Sequence, residues 1–187
     1  KKEIFWTDKG VSFFALRLEG SAGTLSYSMK DERISLTENV SLRMKPKRET
    51  LHPFMANGDS LVYSRQEKAG TMEGNIQVYH GESRASADSL RFELFPDGEN
   101  VKALILKGNV KATLIVKEEK DASSQDQSSF VTRSVRREVE AQEMEIRVFP
   151  DTENIQKINI LQAQGNCTFK FYSSSGCLLY TSDAADE

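Results

Sequence analysis

A chain of 187 residues, 38% apolar and 28% charged, is long enough to bury a core without disulfide support and too apolar to remain disordered. Its formal net charge is -3, with Lys and Arg spread along the chain, which excludes the concentrated basic surface that nucleic-acid binding needs. Apolar runs are short, Leu104-Ile105-Leu106 among them, so no segment reads as a bilayer-spanning helix.

Both ends carry expectations. The chain opens on Lys1-Lys2-Glu3, without Met or signal peptide, and a leader or anchor is expected ahead of Lys1 in the natural protein. Residues Cys177 to Glu187 match the translation of a transposase sequencing adapter and fit no strand or helix pattern. They are expected to be library read-through, which leaves 1–176 as one domain truncated at both ends. Cys167 is then the single native cysteine, and one cysteine predicts no disulfide.

In chain order, a period of two dominates. Leu25, Tyr27 and Met29 alternate with serines, and Val40, Leu42 and Met44 with Ser41 and Arg43. Leu61 and Tyr63 follow, then Ile76 and Val78 around Gln77, then Leu90, Phe92 and Leu94. Val110, Ala112, Leu114 and Val116 form the next run, Met144, Ile146 and Val148 another, and Cys167, Phe169 and Phe171 the last. Such segments are strands with one apolar and one wet face, the antiparallel pattern. Arg136–Met144 is the best helical candidate, and strand is favoured there too. Turn signals lie at Asp31-Glu32, Lys45-Pro46, Glu67 to Gly70, His80-Gly81 and Pro96-Asp97-Gly98. Residues 117–134, rich in Ser and charge, read as a solvated loop. The expected class is all-β, an antiparallel sandwich, jelly roll or barrel of short strands with little or no helix.

Two signatures recur in alternation. One is a small residue, a polar spacer and an apolar-x-apolar pair: Gly23 to Tyr27, Gly58 to Tyr63, Ala87 to Phe92 and Ala141 to Ile146. The other is Asn before an apolar residue, usually after Gly: Asn39-Val40, Gly74-Asn75-Ile76, Gly108-Asn109-Val110 and Gly165-Asn166-Cys167. Phe95-Pro96-Asp97-Gly98-Glu99-Asn100-Val101 also returns as Phe149-Pro150-Asp151-Thr152-Glu153-Asn154-Ile155. Hairpin units that cannot bury their own apolar faces must stack. Gly-Asn tolerates left-handed backbone, so it either bulges and bends a strand or makes an ordinary hairpin turn.

Motifs for catalysis are missing: there is no G-x-S-x-G, P-loop or H-E-x-x-H. His52 and His80 fall in turn-like segments without partners at metal-ligand spacing, so no metal, cofactor or enzymatic activity is expected. Cys167 takes an inward strand position and reads as a buried structural thiol. Trp6 and Phe5 suit either an anchor or core exposed by truncation.

The paired signatures Ala56–Tyr63 with Gly74–Val78, Ala87–Phe92 with Leu106–Val110, and Ala141–Ile146 with Gly165–Phe169 resemble the OstA-like family of lipopolysaccharide-transport proteins. Glu38 in place of Gly, Cys167 in place of Val and the insertion at 117–134 depart from that pattern. The resemblance implies a β-jelly roll or taco, two antiparallel sheets folded over an apolar groove that receives lipopolysaccharide acyl chains in the periplasm. It also implies edge-to-edge contact with other OstA-like domains and an ATPase elsewhere as motor. The groove candidates are then Leu25, Tyr27, Val40, Leu42, Leu61, Tyr63, Ile76, Val78, Leu90, Phe92, Val110, Leu114, Met144, Ile146 and Phe169. From the residues themselves the same set equally fills a solid core, as in a structural or adhesive β-repeat protein. A sugar-binding sandwich is disfavoured because most aromatics fall on the inward register.

Overall fold

The computed structural model describes residues 4–7, 9–15, 18–45, 52–97, 101–119, 132–150, 156–172 and 178–184. The elements in chain order are β1 (Ile4–Thr7), β2 (Val11–Ala15), β3 (Leu18–Ala22), β4 (Thr24–Ser28), β5 (Arg33–Met44), β6 (Phe54–Ser64) and β7 (Ala69–His80). They continue with β8 (Ser83–Leu94), β9 (Val101–Glu119), β10 (Thr132–Pro150), β11 (Gln156–Gln164), β12 (Cys167–Tyr172) and β13 (Leu178–Ala184). All pair antiparallel in one sheet that does not close into a barrel, so the all-β, taco-like class expected from the sequence is the one adopted. Arg136–Met144 lies wholly within β10, and strand holds over helix there.

The strands run in sequence order from β5 to β10 as a meander of long hairpins. Each is interrupted once near its middle, at aligned positions. Val40 pairs with Gly58 and Thr37 with Ser60, so Glu38 and Asn39 together oppose the lone Asp59. Gly74 and Asn75 likewise oppose Asp88, and Gly108 and Asn109 oppose Gln142. Two residues facing one is a β-bulge, which bends and twists its strand. Repeated across the sheet, the bulges form one continuous corner. Gly23 continues it between β3 and β4, which both pair with β5, and Gly165-Asn166 continues it between β11 and β12, which both pair with β10.

The corner divides the sheet into two wings. Wing one holds β4, β11 and the halves Arg33–Thr37, Ser60–Ser64, Ala69–Glu73, Ser89–Leu94, Val101–Lys107 and Glu143–Pro150. Wing two holds β3, β12 and the remaining halves. With no helix and no second sheet among the described residues, only one wing can cover the other. Residues from both join a single core: Leu61, Met72, Leu90 and Leu106 from wing one, and Val40, Ile76, Val110 and Val139 from wing two. Each such side chain contributes about 1.5–3 kcal/mol when buried. Outer faces carry exposed ion pairs such as Lys107–Glu143 at 2.9 Å, each worth about 0–1 kcal/mol.

Two expectations change, and one open choice is decided. The Ser-rich stretch is not loop throughout 117–134: β9 runs to Glu119 and β10 starts at Thr132, with Lys117 paired to Ser134, because the ladder between two long neighbours continues past the last apolar pair. Residues 120–131 lie outside the described set. Leu178–Ala184, which shows no strand pattern in sequence, pairs with β12 as β13; backbone hydrogen bonding at a sheet edge does not require alternation. Gly-Asn lies in mid-strand rather than in a hairpin turn. Among the described residues the hairpin turns fall at 29–32, 65–68, 81–82 and 96–97, so Ala69 and Gly70 belong to a strand; Pro46 and Gly98 lie outside the described residues.

Candidate functional site: the cleft between the wings

The corner is built from two interlocking residue types. Asn39, Asn75, Asn109 and Asn166 all have positive φ, between 47° and 55°. Asn is the non-glycine residue that visits this region with little strain. Gly74, Gly108 and Gly165 precede them with φ of 73° to 79°. The Asn75 amide donates to Asp59 Oδ2 at 3.1 Å, and the Asn109 amide to Asp88 Oδ2 at 2.9 Å. At the last corner the Gln142 N–H donates to the Gly165 carbonyl at 2.9 Å. A Cβ on Gly74 or Gly108 would fall 2.1 or 2.2 Å from the facing Asp carboxylate, so the glycine makes room for that side chain. Two clefts, of about 820 and 310 Å³, lie on this corner. The first mixes polar and apolar lining, with Lys107, Asn109 and Gln142 beside Ala163 and Cys167, and Asn57, Asp59 and Asn75 line the second.

Inside the corner, the cross-strand pairs align apolar side chains in rows parallel to it. The first row of wing one is Leu25–Leu36–Leu61–Met72–Leu90–Leu106–Met144–Ala163, each paired with the next. The next row outward is Tyr27–Ile34–Tyr63–Gly70–Phe92–Leu104–Ile146–Leu161. Gly70 is flanked by Tyr63 and Phe92, whose rings stack across it at 6.1 Å and 9°. A Cβ at Gly70 would lie 2.4 Å from Phe92 Cζ. Wing two is thinner, with the row Gly20–Leu42–Ala56–Val78–Ala85–Ala112–Val139–Phe169. Its small residues leave space for the long side chains of wing one, the large-to-small complementarity that close packing needs.

The structure brings the candidate residues together on the inner faces. Val40, Leu42, Leu61, Ile76, Val78, Leu90, Val110, Leu114, Met144 and Ile146 are buried. Leu25, Tyr63, Phe92 and Phe169 are half-buried and pack against that core. Tyr27 is half-buried in the aromatic row, outside the main cluster. Two sets therefore differ in what they can meet. The buried set seals the bottom of the cleft. A ligand that does not force the wings apart reaches only the half-buried lip, where Ile34, Met44, Phe54 and Leu161 join the candidates. The candidate set lacks these four, together with Leu36, Met72, Leu104 and Leu106, although Met44 closes the run from Val40 and Leu106 opens a repeat signature. Cys167 is buried, as its inward register implies. The side chains of Phe5, Trp6, Val116 and Val148 lie outside the described set.

His80 ends β7 at the lip, and its pKa is lowered, first by burial and then by the charge of His52. A folded-state pKa below the ordinary histidine value means that the unfolded chain binds the proton more readily. Stability is then complete above that ordinary value and falls as pH drops through it toward the folded-state pKa. Urea midpoints taken between pH 8 and pH 5 should decline, and His80→Gln should flatten the decline. An unchanged slope in that variant would remove His80 as the cause.

Comparison with known proteins finds no matching family model, no matching curated protein and no matching solved structure.

Proposed function

We propose that this chain is a non-catalytic lipid-binding module of the bacterial cell envelope, whose cleft holds lipopolysaccharide acyl chains on their way to the outer membrane. One observation carries the reading: bulges aligned in strand after strand fold a single open sheet over its own apolar face. They leave half-buried aromatic and aliphatic side chains along the lip. Acyl chains laid on that lip gain about 0.8 kcal/mol per buried CH₂. The resemblance of the repeat signatures to OstA-like domains supplies the ligand, the periplasmic setting and the joining of domains by their sheet edges. The edge of β12, which accepts the unpatterned β13, is the kind of surface such joining uses.

The sealed bottom of the cleft also suits a structural or adhesive β-repeat with a solid interior. A photo-cross-linking side chain separates the two. Placed at Phe92 on the lip, it should capture lipopolysaccharide added to the purified chain. Placed at Val62, which is 42% exposed on the outer face, it should not. Equal yields at the two sites, or none at either, would favour the structural repeat.

A further inference from the structure

The outer side of the corner is a strip rich in amide and hydroxyl groups. Just past the bulges on wing two, Ser21, Ser41, Asn57, Gln77 and Ser86 pair each with the next across neighbouring strands. On wing one the matching row runs Thr24, Thr37, Ser60, Glu73 and Ser89. Between the rows stand Asn39, Asp59, Asn75, Asp88 and Asn109, all exposed. Bulge geometry accounts for the asparagines at positive φ, but not for Asn57. It is exposed, faces Gln77 in regular pairing and has no positive φ. Asn is depleted in strands, so no backbone preference places it there.

The two clefts of the corner lie along this strip. The smaller is centred on β6, among Asn39, Asn57 and Asn75, and the larger on β10, beside Asn109, Gln142 and Gln164. Four strand spacings separate them, about 20 Å. The asparagines of the bulges recur on every second strand of the meander, about 10 Å apart. A side-chain amide has two N–H donors and a carbonyl acceptor. Asn75 and Asn109 therefore keep hydrogen-bonding capacity beyond the single bond that each donates to an Asp. Sugar hydroxyls also donate and accept at once, which makes amides fit partners for them. In the larger cleft Lys107 and Glu143 neutralise each other. The exposed carboxylates of Asp59 and Asp88 repel an acidic chain. No described residue lining either cleft is aromatic, so hydrogen bonds rather than ring stacking would hold a sugar, and affinity would grow with the length of chain engaged.

We propose that the outer corner binds an extended, neutral, β-linked glycan, with one stretch of the chain in each cleft. In such a glycan every second sugar repeats its orientation, at an interval close to the two-strand repeat of the bulges. The strip lies on the opposite face of the sheet from the apolar lip, so this binding is independent of lipid. Calorimetric titration of the whole chain with cellohexaose, maltohexaose and glucose is the test. Cellohexaose is straight, whereas maltohexaose has the same sugars on a curved, α-linked chain. Cellohexaose should bind at least about 10-fold more tightly than either of the others. Asn57→Ala in the smaller cleft and Gln142→Ala in the larger should each weaken it by about 2- to 10-fold, the range for one hydrogen bond. The double variant should lose about the product of the two. Val62→Ala, away from both clefts, should bind like the parent. Unchanged urea midpoints separate a binding loss from a folding loss, and Asn57→Ala, outside the bulges, decides the matter alone if Gln142→Ala unfolds early. No binding of cellohexaose, equal binding of maltohexaose, or parent-like affinity in Asn57→Ala and in the double variant overturns the proposal. So does a loss seen only in Phe92→Ala, which would place the sugar on the inner lip.

Discussion

Replacing Leu90 by Ala should lower the free energy of unfolding by about 2–5 kcal/mol, the cost of a large-to-small change in a closed core. Leu90 is fully buried and paired with Met72 on one side and Leu106 on the other, in the first row inside the corner. The cavity would open within the buried core where the two wings meet. Urea unfolding of the variant against the parent measures the loss. Val62→Ala, on the outer face of β6, is the matched control and should change stability by no more than about 0.5 kcal/mol. A loss below about 1 kcal/mol for Leu90→Ala would mean that the wings do not close on this row.

The second large effect is expected at the corner. Gly108→Val should cost at least about 2 and up to about 4 kcal/mol, combining the strain of a β-branched residue at positive φ with steric overlap. Gly108 has φ +75°, and an added Cβ would lie 2.2 Å from Asp88 Oδ2 and 2.8 Å from Asp88 Cβ. The carboxylate that accepts from Asn109 would have to move, so the loss reaches beyond one residue. Gly10 isolates the backbone share: its φ is +58°, with nothing within 4 Å of an added Cβ. Gly10→Val should therefore lose only the strain, about 1–2 kcal/mol. Comparable losses at the two glycines, read from urea midpoints, would argue that the Asp–Asn corner plays no part in holding the bend.

Much of this architecture is legible in the alternation of the chain. The runs Val40-x-Leu42, Ile76-x-Val78 and Val110-x-Ala112-x-Leu114 announce strands, and each starts directly after an Asn that the structure places at a bulge. The resulting corner was harder to read, because its second half lies in residues that look unremarkable. In β8 the inward residues are Ala85 and Ala87 before the corner and Leu90 and Phe92 after it, so the alternation slips by one at Asp88. The same slip separates Gly58 from Leu61 and Ala141 from Met144. The recurrent small residue and spacer mark this slip. Read as a strand start, they conceal the earlier half of each strand, including Ala56 and Val139. The small inward residues of wing two carry little hydrophobic signal, although wing one packs against them.

The phase slip at Asp59, Asp88 and Gln142 has a consequence for misassembly. A long open sheet with two free edges is the geometry from which flat, cross-β stacks grow. Straightening β8 would keep Ala85 and Ala87 on one side and send Leu90 and Phe92 to the other, so neither face of the flattened strand would be uniformly apolar. Strands β6 and β10 carry the same conflict. The sequence thereby favours the bent form and works against fibril-like association, a safeguard distributed over every second strand.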